Sequence, residues 1–168
     1  GEIRSGWEIT PSAEITLEAN PGALDCAHLD GYRQAGINRL SLGIQSFHDR
    51  ELALLTRIHS AAGAMEALTA ARAVGFTNLS LDLIFGLPGQ YLSDYKASLS
   101  QALAFGPEHL SLYGLTIEAG TPLAQAVAGG RLHPCDEELE REMFLAGKRM
   151  AEAAGYQQVT EYLERHGR

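Results

Sequence analysis

The sequence predicts an α/β fold, a parallel β-sheet with helices outside it. One observation is a phrase that recurs three times, a glycine, three residues and then Leu-Ser-Leu. It reads Gly36-Ile-Asn-Arg-Leu-Ser41-Leu, Gly75-Phe-Thr-Asn-Leu-Ser80-Leu and Gly106-Pro-Glu-His-Leu-Ser111-Leu. Glycine just past a helix takes the left-handed C-terminal cap without a Cβ penalty. The short apolar alternation after it reads as a strand. The second observation is that a helical stretch precedes each glycine, so the series reads as successive βαβ units and a parallel sheet.

The elements follow in chain order. Residues 1–12 read as a helix remnant and a loop, and a strand over 14–18 follows without a leading glycine. Asp25 is placed to cap a helix running to Ala35 and stopped by Gly36. A strand over 39–45 leads into a short helix over 49–56. Ser60 is placed to cap the alanine-rich helix 61–74, where helix propensity is high. A third strand, 78–84, ends at the turn Gly86-Leu-Pro-Gly89. A helix over 93–105 precedes the strand 109–114. Residues 118–134 hold Gly120, Gly129, Gly130, Pro122 and Pro134 and read mostly as loop. The last long helix spans 136–154, with an acidic first turn that suits the helix dipole. A weaker fourth copy, Gly155-Tyr-Gln-Gln-Val-Thr160-Glu, closes the pattern.

Side chains two apart on a strand share a face. Alternation puts Ile15, Leu17, Leu40, Leu42, Ile44, Leu79, Leu81, Leu83, Leu110 and Leu112 on aliphatic faces. The opposite faces carry Thr16 and Glu18, then Ser41, Gly43 and Gln45, then Ser80 and Asp82, then Ser111 and Tyr113. Buried polar groups cost free energy unless something hydrogen-bonds them. Four strands with the same pattern point to a polar ligand at the strand C-terminal ends, with a network of mutual hydrogen bonds and water as the alternative.

The 168 residues suit one domain, and 45% hydrophobic residues suffice for a core. A formal charge of −8 argues against broad binding to nucleic-acid backbone. No apolar run is long enough for a membrane span, and nothing resembles a signal peptide. Cys26 and Cys135 imply no disulfide framework, which fits a reducing cytoplasm. The chain starts at Gly1 rather than Met and is expected to be a fragment or a processed product.

Several motifs in this order resemble one family. They are Glu14-Ile-Thr-Leu-Glu18-Ala-Asn-Pro21, Gly36-Ile-Asn-Arg39-Leu-Ser-Leu-Gly43-Ile-Gln45-Ser46-Phe47 and Arg57-Ile-His59. Asp82-Leu-Ile-Phe-Gly86-Leu-Pro88-Gly89-Gln90 and Ser111-Leu-Tyr113-Gly-Leu115-Thr-Ile-Glu118-Ala-Gly120-Thr121-Pro122 complete the set. Together they resemble the oxygen-independent coproporphyrinogen oxidase family of radical S-adenosylmethionine (SAM) proteins. The Glu-Ala-Asn-Pro and Gly-Ile-Gln-Ser forms are most similar to its HemW-type heme chaperone branch.

The resemblance implies a partial, open (β/α)6 barrel of TIM-like type. Residues 1–168 would then be a piece of a single radical SAM core domain, supplying strands three to six. It implies SAM contacts at Glu18, Gln45, Arg57, Asp82 and Thr116. Carboxylates there would accept bonds from ribose hydroxyls or the methionine ammonium, and Arg57 would grip the methionine carboxylate. On position alone Arg57 is also readable as a solvated or helix-paired cation. A tetrapyrrole, heme or coproporphyrinogen, is implied as partner of the parent protein.

The resemblance also implies a [4Fe-4S] cluster in the full-length parent, held by Cys-x3-Cys-x2-Cys. That spacing is absent here, as is the Gly-Gly-Thr-Pro strand of the family, and Cys26 with Cys135 cannot replace the cluster ligands. The fragment alone is therefore expected to be inactive. Beyond Gly155-Tyr156 the tail leaves the family pattern.

Other readings stay open on the residues. Cys26, His28, His133 and Cys135 match no usual zinc spacing. His59 could orient Arg57 or cap a helix, and His109 reads as structural. Tyr113 could stack on an adenine or serve as a core aromatic. The alternative to a radical SAM protein is a (β/α) hydrolase or aldolase with Asp82 and Glu18 as acid and base.

Overall fold

The computed structural model describes residues 6, 8 and 10–158. The expected helix remnant near the N-terminus lies largely outside them, as does the strand of the fourth glycine phrase. The chain forms two compact units, residues 1–84 with 106–113, and residues 85–105 with 114–168.

The first unit holds an open sheet in the order β1 (Thr16–Ala19), β2 (Arg39–Gln45), β3 (Leu79–Phe85) and β4 (His109–Gly114). The last residues of β3 and β4 fall in the second unit. β1 pairs parallel with β2, and β2 with β3. The glycine phrases act as expected, with positive φ at Gly36 (92°), Gly75 (91°) and Gly106 (69°) where each chain segment leaves a helix.

Two anticipated caps are in place in this unit. Asp25 accepts the His28 amide ahead of α1 (Cys26–Gln34), and Ser60 accepts the Gly63 amide ahead of α3 (Ala61–Ala73). Between them lies the short α2 (Asp49–Leu54). The aliphatic strand faces are the core: Leu40, Leu42, Ile44, Leu79 and Leu81 are fully buried, with Leu29, Leu68 and Phe76 of the same unit.

Polar side chains fasten the strand ends. Asn38 accepts the Ile15 amide at 2.7 Å and donates to the Ala13 carbonyl at 2.8 Å, which ties the start of β1 to β2. Arg72 of α3 donates to the Phe76 and Gly106 carbonyls and to Glu108. Glu108 in turn accepts the Leu79 amide at 2.8 Å, so one ion pair sets where β3 begins. Burial pushes the Glu108 carboxyl up. The Arg72 hydrogen bond, the Leu79 amide and the Arg72 charge together outweigh it and hold the group below its ordinary value.

The second unit contains α4 (Leu92–Phe105), α5 (Pro122–Ala128) and α6 (Glu137–Ala153). Phe85 stacks obliquely on Tyr95 of α4 and Phe144 of α6, with centroids 5.5 and 6.5 Å away. Asp136 caps α6 as expected, accepting the Glu138 and Leu139 amides.

The segment 118–134 is mostly loop, as expected, but α5 lies inside it. Thr121 accepts the Ala124 amide as N-cap, and Pro122 takes the first helical position, where its missing N–H is no loss. The proline reads as a breaker only if its position in the first turn is overlooked.

Candidate functional site

The polar faces of the first unit come together as one row across the sheet. Glu18 pairs with Ser41 and Ser41 with Ser80 in the strand register. Ser41 and Ser80 are buried, while Glu18 is exposed. The Ser80 hydroxyl lies 2.9 Å from His109 Nδ1, so His109, expected to be structural, partners a sheet hydroxyl.

Asp82 stands midway along β3, half-buried. Burial raises its carboxyl above the ordinary value, and the neighbouring Glu18 charge adds to the rise. A hydrogen bond from Ser111 and the charges of His109 and Arg39 oppose it. Asp82 and Glu18 are thus electrostatic neighbours on the polar face. Burial and like charge are the two causes that make a carboxylate seek a donor or a cation.

Gln45 reaches the same face by a route that alternation did not anticipate. Leu42 pairs with Leu81, but Gln45 pairs with Leu83, so an irregularity interrupts the ladder between them. Two β2 residues, Gly43 and Ile44, then stand opposite one β3 residue, the count of a β-bulge. Gln45 takes the left-handed backbone, φ 66°, rare for a residue with a side chain. Its amide folds back so that Nε2 lies 2.8 Å from where a β-carbon on Gly43 would stand.

Arg57, in the loop after α2, is half-buried and donates from Nη1 to Asn20 Oδ1 at 3.1 Å. Among the described residues it makes no salt bridge, so it is not a helix-paired cation. His59 does not orient it. Its ring is buried, with Nε2 3.2 Å from the Ile44 carbonyl, inside the irregular stretch of β2. His59 Nδ1 has no hydrogen-bond partner among the described residues.

Tyr113 is 45% exposed, which sets aside the core-aromatic reading. Thr116 lies in the second unit and is exposed. The structure therefore places Glu18, Gln45 and Asp82 on one face of the first unit, with Arg57 at Asn20, just past β1.

Sequence reasoning missed Asn20, Ser111 as the partner of Asp82, and the anchoring role of His59. Asn20 follows Glu18 by two positions, so strand alternation carried forward would have marked it. No local signal marks the other two. Cys26 and Cys135 are free thiols, the first exposed, and His28 pairs with Asp25 at 2.9 Å. Among the described residues no group of three or more His, Cys, Asp or Glu is gathered to hold a metal ion, and no helix is long and apolar enough to cross a membrane.

With this geometry in view, comparison with known proteins is informative. Residues 3–102 match the model of the Radical SAM superfamily. The chain is 43% identical over 157 residues to the heme chaperone HemW of Haemophilus influenzae, covering 94% of this chain and 40% of that protein. It is 40% identical over 158 residues to HemW of Escherichia coli, covering 93% and 40% respectively.

In structure it resembles coproporphyrinogen III oxidase (HemN) from Escherichia coli, described as a radical SAM enzyme. The TM-score is 0.77 and the identity 26%, covering 92% of this chain and 36% of that one. The chain thus spans about 40% of the length of the HemW relatives it matches. None of these matches favours the alternative of a hydrolase or aldolase built on Asp82 and Glu18.

Proposed function

The chain belongs to the radical SAM superfamily, and on that premise we propose that its first unit binds S-adenosylmethionine through Glu18, Gln45, Arg57 and Asp82. The observation that carries the reading is that Glu18 and Asp82 are electrostatic neighbours on the polar sheet face, while Asn20, just past β1, holds Arg57. Arg57, which has no carboxylate partner among the described residues, suits the methionine carboxylate. The Glu18 and Asp82 carboxylates suit the methionine ammonium or the ribose hydroxyls. Gln45 offers both a donor and an acceptor. Thr116 enters the proposal on its resemblance to the family alone.

A [4Fe-4S] cluster does not fit the residues present. Such a cluster takes several converging thiolates, and the chain has two cysteines, Cys26 and Cys135, one in each unit. The proposal is therefore confined to binding. SAM supplies a sulfonium open to reductive cleavage, and the residues named here hold and orient the molecule around it. The chain by itself is expected to form no 5′-deoxyadenosine.

For the whole protein we infer a heme-handling role of the chaperone type, with a tetrapyrrole as partner and the cytoplasm as its compartment. Identities of 43% and 40% to HemW chaperones support the chaperone branch.

The test is a titration of the chain with SAM followed by nuclear magnetic resonance, which reads weak affinities. Binding is expected to be no tighter than about millimolar. Arg57→Ala or Asp82→Ala should weaken it about tenfold or more, the loss of one charged hydrogen-bonded contact. Unchanged affinity in both variants would reject these assignments.

A further inference from the structure

We propose that Asn20 is a positioning residue for Arg57, a neutral amide that fixes the guanidinium while leaving its charge free for the carboxylate of the ligand. The inference rests on the SAM reading above and adds to it the residue that sets charge preference. Asn20 occupies the N-cap position of the short 3-10 turn Pro21–Ala23, yet its side chain makes no capping hydrogen bond there. Its Oδ1 accepts from Arg57 Nη1 at 3.1 Å instead. The same oxygen lies 3.4 Å from where a β-carbon on Gly43 would stand, and Gln45 Nε2 lies 2.8 Å from that point. The two amides therefore bracket Gly43, and Arg57 is held at the edge of that bracket.

The choice of amide over carboxylate has a physical consequence. A guanidinium carries five donors and a full charge, and the Asn20 bond uses one donor and none of the charge. A carboxylate at position 20 would neutralise Arg57 and compete for its planar fork. It would also add a negative charge to a face that already holds Glu18 and Asp82, in a chain of formal charge −8. An incoming carboxylate would then meet repulsion in place of an open cation.

The experiment compares SAM with decarboxylated SAM on the wild-type chain, Asn20→Ala, Asn20→Asp, Arg57→Ala and the Asn20→Ala/Arg57→Ala pair. Asn20→Ala should weaken SAM severalfold. Asn20→Asp, though closest in shape, should weaken it about tenfold or more. Neither variant should weaken the affinity for decarboxylated SAM, a ligand without the carboxylate that Arg57 would hold. In the pair, the loss should not exceed that of Arg57→Ala alone, because Asn20 acts through Arg57.

A purely structural Asn20 would show the opposite order, with Asn20→Asp the milder change, and that order would overturn the proposal. Equal losses on both ligands would overturn it too. If Arg57→Ala leaves SAM affinity unchanged, the assignment of Arg57 to the ligand carboxylate fails. The positioning claim is then judged on the ligand-free chain, where rotation of the Arg57 guanidinium, read from its nitrogen resonances, should be slow in wild type and fast in Asn20→Ala. Equal rotation in both would overturn it.

Discussion

Gln45 lies over Gly43, its Nε2 2.8 Å from where a β-carbon on that glycine would stand. No L side chain fits at position 43 with the Gln45 amide where it is. The obstacle is the end of a flexible side chain, so the amide can swing away at small cost. Gly43→Ala should therefore change stability by no more than about 0.5 kcal/mol, well below a rigid core clash. It should instead shift the side-chain amide resonances of Gln45 and Asn20. A stability loss of several kcal/mol with those resonances unmoved would contradict the placement.

The backbone of Gln45 makes a second claim testable. Its φ of 66° lies in the left-handed region, where glycine carries no Cβ penalty. In an ordinary strand, glycine is less stable than alanine. At position 45 the order should invert, with Gln45→Gly more stable than Gln45→Ala by about 1 kcal/mol in urea unfolding. Alanine the more stable of the two would rule out the left-handed conformation.

Asp82 predicts a pH dependence with a definite sign. Burial first, and Glu18 after it, raise its folded-state value above the ordinary 3.8. A group raised on folding contributes its full stability below the unfolded value and loses it as pH rises through the folded one. The stability of wild type relative to Asp82→Asn should therefore decline from about pH 4 upward and level off once Asp82 is ionised in the native state. Urea midpoints of the two proteins across that range give the difference directly. A difference that grows with pH would mean that a cationic or donor partner outweighs burial.

Tyr95 is buried, and its hydroxyl has no hydrogen-bond partner among the described residues. Burial pushes its phenol well above the ordinary value. Removing an unsatisfied buried hydroxyl while keeping the ring should be neutral or stabilising. Tyr95→Phe is expected to leave unfolding unchanged or raise it by up to about 1 kcal/mol. The contact with Phe85 survives the change. A clear loss of stability would reveal a partner for the hydroxyl.

What the sequence determined was local in origin. The caps at Asp25, Ser60 and Asp136 and the stops at Gly36, Gly75 and Gly106 follow from one residue's backbone preference or one side chain reaching three positions along. The same local chemistry marked the aliphatic and polar strand faces, and with them the parallel sheet. The α5 start escaped, where Thr121 and Pro122 form a helix cap inside a segment that reads mostly as loop.

The tertiary structure decided what depends on residues distant in the chain. The irregularity at Gly43 and Ile44, steadied by His59, turns Gln45 left-handed. Asn20 meets Arg57 across 37 residues, and Ser111 and Glu18 set the environment of Asp82. Alternation and propensity act over a few residues and are written in the sequence. Hydrogen-bond geometry and burial arise only when the sheet brings separate strands side by side.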